Sequence, residues 1–152
     1  MHKCVIADTS VLIVLEKVQE LSLLKELYQS IIITPEVKEE FGKSLPGWVK
    51  VEAVRDEKYL KFLSAYLDIG EASVIALSEE KEDPLLILDD LKARKIALRI
   101  GVPFTGTLGV LQKAKDLGLI KVIKPQIQKI EKAGFRISPK IIHELLKRNN
   151  EL

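Results

Sequence analysis

Cysteine, aromatic residues and long apolar runs are all scarce in this chain. Its 152 residues include one Cys and 5% aromatics. A lone Cys4 excludes an intramolecular disulfide and any multi-cysteine zinc site. No apolar run approaches the roughly 18–20 residues of a membrane span. Asp8 and Glu16 interrupt the apolar stretch near the amino terminus, so no secretory signal is expected there. Internal repeats, low-complexity stretches and Gly/Ser linkers are missing too. What is present is an ordinary globular mixture, 47% hydrophobic and 30% charged. The expectation is one cytoplasmic domain over 1–152 with no membrane partner, burying roughly 68–70% of its unfolded surface.

Net charge is also scarce, at +2. That small sum conceals two opposed regions. Residues 1–91 hold 10 Lys+Arg against 18 Asp+Glu, a net of −8. Residues 92–148 hold 14 against 3, a net of +11. Such a split suits acids that bind metal beside a surface that binds anions. The plain alternative is a set of solvated Lys-rich helices.

Short apolar runs alternate with helical spacing. Cys4-Val5-Ile6-Ala7 reads as a buried strand ending at Asp8. Ile31-Ile32-Ile33 is a second strand, and Thr34-Pro35 opens a helix with an N-cap and a first-turn proline. Trp48-Val49-Lys50-Val51 follows the Pro46-Gly47 turn as a short strand. Helices are expected over 57–67 and 71–81, separated by Gly70. Leu85-Leu86-Ile87-Leu88 is a strand ending at Asp89-Asp90. A helix over 91–100, with Leu91, Ile96 and Leu98 on its apolar side, stops at Gly101. Val102-Pro103-Phe104-Thr105 is a last strand, before a helix over 108–117. Two further helices, 125–133 and 139–149, make 125–152 a carboxyl-terminal helical extension. Strands that are apolar throughout imply a parallel sheet covered on both faces. Ligands of such sheets bind beyond the carboxyl ends of the strands.

Two buried strands end in acids: Asp8, followed by Thr9-Ser10, and Asp89-Asp90. Each acid has an innocent alternative as a helix N-cap. In the helix after Pro35, Val37 and Phe41 mark the apolar stripe. Glu40 lies beside that stripe and Glu39 far from it. Glu71 opens a helix that is apolar on nearly every side, where it can serve the dipole or a metal. If Asp8, Glu40, Glu71 and Asp90 converge, their repulsion calls for a cation. Magnesium and manganese prefer such oxygen donors and can activate water against a phosphate ester.

Several segments taken together resemble PIN-domain nucleases. They are Val5-Ile6-Ala7-Asp8-Thr9-Ser10, Pro35-Glu36-Val37-Lys38-Glu39-Glu40-Phe41 and Leu67-Asp68-Ile69-Gly70-Glu71-Ala72-Ser73-Val74-Ile75-Ala76-Leu77. Leu88-Asp89-Asp90-Leu91-Lys92-Ala93-Arg94-Lys95-Ile96-Ala97 and Phe104-Thr105-Gly106-Thr107-Leu108-Gly109-Val110-Leu111 follow in order. With Lys132-Ala133-Gly134-Phe135-Arg136-Ile137-Ser138-Pro139, the set is similar to a PIN-like prokaryotic branch related to type II toxin–antitoxin toxins. The resemblance implies a three-layer α/β/α fold with a parallel sheet in strand order 3-2-1-4-5. It implies RNA hydrolysis by metal-activated water, with Asp8, Glu40, Glu71 and Asp90 as catalytic acids holding Mg2+ or Mn2+. Glu39 competes with Glu40 for its place, and Asp89 with Asp90. Glu71 stands where the broad family more often has Asp. Thr9, Ser10, Lys92 and Arg99 are the candidate substrate contacts. Lys92, Arg94, Lys95 and Arg99 begin the basic segment and can hold an RNA backbone or simply face solvent.

A catalytically weak or inactive PIN-fold module that binds RNA or protein is the competing expectation. A receiver domain would place its acidic pair after the first strand, and a haloacid-dehalogenase-like phosphatase would need an Asp where Ser10 stands. Neither accounts for Glu40 and Glu71. An antitoxin protein and a second copy of the chain are candidate partners, and the tail, with Ile141, Ile142, Leu145 and Leu146, is where they would dock. Packing of the tail onto its own domain is the alternative. His143 and Cys4 read as structural groups and Trp48 as packing. With so few aromatics, an RNA-binding sheet built on base stacking is not expected.

Overall fold

Strands without polar alternation have no face to offer solvent. In the computed structural model, which describes residues 2–152, the central strands lie in the interior, while the edge strand over 49–51 leaves Lys50 and Val51 exposed. β1 (Cys4–Ala7), β2 (Ile31–Ile33), β3 (Val49–Val51), β4 (Pro84–Ile87) and β5 (Phe104–Thr105) form one parallel sheet. Its order is β3-β2-β1-β4-β5, as expected. Ile6 at the centre pairs with Ile32 on one side and Leu86 on the other. The chain adds strands outward from β1 in one direction and then returns to add β4 and β5 in the other. The strand order therefore reverses at β1, and a crevice is expected beyond its carboxyl end.

Parallel neighbours require crossover connections, and helices supply them. α1 (Thr9–Lys17) and α2 (Ser22–Tyr28) link β1 to β2, and α3 (Pro35–Phe41) links β2 to β3. α4 (Glu57–Ser64) and α5 (Ile69–Ser78) return the chain to β4, and α6 (Leu91–Ile100) leads to β5. α7 (Thr107–Asp116), α8 (Lys124–Lys132) and α9 (Pro139–Arg148) complete the chain. Ile6, Leu12, Leu15, Leu24, Ile75 and Leu86 are sealed from solvent in the main core. From Ala72 to Ser78, α5 is buried on every side. Its hydroxyls therefore need internal partners. Ser73 Oγ donates to the Gly70 carbonyl at 2.6 Å and lies 2.7 Å from Thr34 Oγ1, while Ser78 Oγ donates to the Ile75 carbonyl at 2.6 Å.

The fold corrects three details. Leu91 and Leu98 are each 73% exposed, and α6 is instead buried through Ala93 and Ala97, with Ile96 half-buried. Small residues four apart let its backbone approach its neighbours, leaving the leucines outside. Gly70 is not a break between helices but belongs to the first turn of α5. His143 faces solvent, because Ile142, Leu145 and Leu146 form the packed side of α9.

The tail packs on its own domain. Ile130 joins Val14, Leu23 and Leu111, while Ile123, Ile127 and Leu146 form a third apolar cluster. Glu151 fastens this end: it accepts from Lys115 Nζ at 2.6 Å and from the Ile123 and Lys124 backbone N–H groups at 2.9 and 2.8 Å. Among the described residues no helix is long and apolar enough to cross a membrane.

Candidate active site

Asp8 leaves the end of β1, and its backbone N–H donates to the Ile87 carbonyl of β4 at 2.9 Å. This places it at the reversal of strand order. It occupies the N-cap position of α1, yet its side chain makes no capping hydrogen bond. The residue is 3% exposed, and Oδ1 is buried without a partner. A helix cap uses its carboxylate in a capping bond; here none is made and Oδ1 is left without a partner. Burial pushes the Asp8 carboxyl up to about 6. The Thr9 backbone N–H and the Ser10 hydroxyl oppose the rise, and the charges of Glu40 and Asp90 add to it.

Glu71 lies in the first turn of α5 and is raised to about 7. Burial is again the main cause, followed by the charges of Asp90, Asp8 and Asp68, with the Asp68 backbone N–H working against them. Asp90 caps α6: its Oδ2 accepts from the Ala93 N–H at 2.9 Å. Its innocent role is thus real, but the charge of Asp90 also acts on both Asp8 and Glu71.

Glu40 comes from the last turn of α3. Its Oε1 accepts from Thr9 Oγ1 at 2.5 Å. A Cβ at position 70 would stand 2.7 Å from that same oxygen, so the carboxylate keeps this position over a glycine and would have to shift for any side chain. Thr9 is 3% exposed with its hydroxyl committed to Glu40. It supports a carboxylate rather than standing open to substrate. Glu39 is exposed and, among the described residues, makes no hydrogen bond or ion pair.

Asp89 is treated differently from its neighbour. It accepts from the Thr107 N–H at 2.9 Å and the Thr107 hydroxyl at 2.6 Å, and it faces Arg94 Nη2 at 3.6 Å. Arg94 in turn donates from Nε to the Leu88 carbonyl at 2.8 Å and lies over the Phe104 ring. A side chain at Gly106 would collide with both Arg94 and Asp89. This latch ties β4, α6 and α7 together. It uses up Asp89 and turns Arg94 inward, away from the solvent-facing cations beside it.

A pocket of about 340 Å³ opens between α4, α5 and α6, lined by Tyr66, Asp68, Glu71, Asp90 and Lys92 among others. Arg99 is exposed on α6, seven residues and about 10 Å along the axis from Lys92. Lys92 therefore reaches the pocket and Arg99 stays outside it. Ser10 is exposed in the first turn of α1. Most of the basic segment follows α7, α8 and α9, so the two opposed charge regions meet at the pocket chiefly through Lys92.

The four expected acids thus come from four elements: the charges of Glu40 and Asp90 bear on Asp8, and those of Asp90 and Asp8 bear on Glu71. They do not form a closed cage: among the described residues, no three His, Cys, Asp or Glu side chains are gathered closely enough to hold an ion. The donor chemistry nonetheless fits a hard divalent cation. It is all carboxylate oxygen, one buried oxygen lacks a partner, and two carboxyls are raised by burial and mutual repulsion that a cation would relieve.

Asp68 escapes a reading that looks only at strand ends. Its spacing of three from Glu71 on one helix turn was the available signal. The Thr9–Glu40 and Asp89–Thr107 bonds join positions far apart in sequence and left no local mark.

An all-parallel five-stranded sheet in this order, flanked by helices and carrying acids at its carboxyl edge, defines a nuclease-type α/β fold. A family model described as a PIN domain matches residues 4–151, and the chain belongs to the PIN-domain family. PIN domains are generally nucleases that act on RNA, and typically depend on a divalent metal. Comparison with curated proteins and with solved structures returns no match.

Proposed function

We propose that the protein is a metal-dependent endoribonuclease hydrolysing RNA phosphodiesters. The observation that carries this reading is Asp8, a buried strand-end acid that neither caps its helix nor pairs its Oδ1, among three other carboxylates. Asp8, Glu71 and Asp90 would hold Mg2+ or Mn2+, with Glu40 beside them. When bound, the ion supplies an acidified water and neutralises charge on the phosphate being cleaved. Thr9 holds the Glu40 carboxylate in one orientation through its hydroxyl. The Ala93 N–H fixes Oδ2 of Asp90, a residue of the pocket wall. Lys92 at the rim offers a cation to an RNA phosphate, which makes binding weaken as salt rises.

Cleavage of varied RNAs with Mg2+ or Mn2+, with and without chelator, tests the reading. Wild-type cleavage that stops on chelation and in Asp8→Asn is the expected result. A wild type that cuts no RNA, or an Asp8→Asn variant that cuts normally, overturns it. The open arrangement of the acids supports a second reading, a PIN-fold module that binds RNA or protein without cleaving. It predicts the first of those negative results together with retained binding.

The nuclease reading extends to a biological role as the toxin of a type II toxin–antitoxin pair. A small antitoxin protein would be its partner, with a homodimer as a further assembly. The support is the exposed apolar surface at Leu117, Leu119, Val122 and Ile141, beside or on the tail. Growth arrest on expression, relieved by Asp8→Asn or by a small protein encoded beside it, is the expected outcome. Unimpaired growth on expression of the active enzyme removes this role.

A further inference from the structure

We propose that Phe62 and Tyr66 form a stacking subsite for an unpaired nucleobase beside the acid pocket, with Lys92 taking the adjoining phosphate. The proposal rests on reading that pocket as a phosphodiester site and adds where the base next to the phosphate would sit. The chain has one Trp, three Tyr and four Phe. Tyr28, Phe41, Trp48, Tyr59, Phe104 and Phe135 are buried or half-buried. Phe62 and Tyr66 are 59% and 53% exposed.

The fold does not need these rings. Leu63 and Leu67, each one residue further on, bury this segment against the core at 3% and 7% exposure. Phe62 and Tyr66 are four apart and meet edge to face, with ring centroids 5.5 Å apart and planes at 62°. An edge-to-face contact restrains both rings but covers only one ring face. The other faces remain available to a ligand. Leaving large rings in water is unfavourable, and patches of this kind mark binding surfaces.

The surroundings point to a nucleotide. Tyr66 is itself part of the wall that holds Asp68, Glu71, Asp90 and Lys92. Ile69 and Leu91, next in sequence to wall residues Asp68 and Asp90, are 51% and 73% exposed. Lys58 lies one helical turn before Phe62. Neither it nor Lys61 nor Lys92 makes an ion pair among the described residues. Open ring faces, uncommitted ammonium groups and a carboxylate pocket thus follow one another across the surface. A nucleotide presents a π-face and an anionic phosphate together, and stacking tolerates any base. Bases inside a duplex are closed to such a ring, so the ligand is an unpaired strand. A pocket of about 340 Å³ is at the small end of the ligand pockets proteins use, roughly 300–1,000 Å³. The stacking site sits on a helix end and not on the sheet, so the scarcity of aromatics does not forbid it.

Binding of a fluorescent single-stranded RNA oligonucleotide, followed by anisotropy in the full-length Asp8→Asn background with Mg2+, separates recognition from cleavage. Tyr66→Ala is expected to weaken binding about 10-fold, with Phe62→Ala weaker in effect and Tyr66→Phe restoring the affinity. An abasic oligonucleotide should bind about as weakly as the base-bearing one does to Tyr66→Ala, and Tyr66→Ala should cost it nothing further. Both rings are more than half exposed, so unchanged thermal midpoints are expected to certify the folds. Equal affinity for abasic and base-bearing strands overturns the proposal, as does an alanine effect that persists on the abasic strand. Ring variants that change oligomeric state while binding RNA normally also overturn it, and assign the surface to a protein contact. Cleavage by the wild type with normal binding by the ring variants defeats the subsite alone. Tyr66-dependent binding without any cleavage defeats the nuclease reading and leaves the subsite standing.

Discussion

Two regions of the molecule hold carboxylates away from bulk water and treat them in opposite ways. At the tail, Glu151 receives the Lys115 ammonium and two backbone N–H groups. Burial works to raise its carboxyl, but the Lys115 bond and the Ile123 and Lys124 N–H groups outweigh burial and hold it below the usual range. At the strand ends, Asp8 and Glu71 are raised by burial and the charges of other acids, and among the described residues neither makes an ion pair. Lys92 stands only at the rim of the pocket. The same chemical group therefore serves stability in one place and is left unsatisfied in the other. A fold that can satisfy Glu151 and Asp89 so fully has no structural reason to leave Oδ1 of Asp8 without a partner. The unsatisfied edge is what a cation and a phosphate ester would complete.

The sharpest way to break this contrast is to neutralise one acid from each region. Asp8→Asn should lower cleavage at saturating metal by at least about 100-fold, equivalent to about 3 kcal/mol. The same substitution should raise the melting temperature of the metal-free protein at neutral pH, because it removes a buried charge. A cleavage assay and a thermal melt on one preparation check both directions. Glu151→Ala should do the reverse. It strands Lys115 and two backbone donors, costing about 2 kcal/mol, or about 4–8 °C in melting temperature. Cleavage by the folded fraction should stay within about twofold of wild type, since no site residue is touched. If both substitutions merely destabilise, the distinction between the regions fails.

A smaller effect is expected at Gly70. Alanine there favours the helix by about 1 kcal/mol but drives a methyl group toward Glu40 Oε1. The carboxylate is the far end of a flexible side chain and can move at little cost to the fold. Gly70→Ala should therefore leave the melting temperature within about 3 °C of wild type. Cleavage should fall about 10-fold, in line with the loss of a supporting contact. Unchanged cleavage would place Glu40 outside the working set.

The pattern of apolar runs made most of this legible. Continuous runs such as Ile31-Ile32-Ile33 and Leu85-Leu86-Ile87 have no polar face, which calls for cover on both sides and so points to the parallel sheet that forms. Gly101 and the Thr34-Pro35 pair set helix ends that the backbone adopts. Asp8 was legible as a strand-end acid, but its lack of a capping bond was not, because capping depends on a rotamer. The pair Asp89-Asp90 could not be divided from sequence. Their fates are set by Thr107 and Arg94, which reach Asp89 only once β5 and α7 are in place. Leu91 and Leu98 misled because helical spacing marks an apolar side without saying whether anything covers it.

The last expected effect is a difference in pH dependence. A carboxyl raised in the folded state binds its proton more tightly there than in the unfolded chain. Its stabilising contribution is complete below the unfolded pKa of about 4 and is lost as pH rises through the folded value. For Asp8 and Glu71 those folded values are about 6 and about 7. The metal-free protein should thus lose a few degrees of melting temperature between pH 5 and pH 8. Glu151, held low, contributes above its unfolded value and loses that contribution only as pH falls through its lower folded value. One region weakens the fold on the alkaline side and the other on the acid side. Millimolar Mg2+ should flatten the alkaline limb alone, and Asp8→Asn should flatten it in part without metal. Glu151→Ala should alter the acid limb alone. An alkaline limb that persists in Asp8→Asn and ignores Mg2+ would mean that the strand-end acids carry no stored repulsion for a cation to relieve.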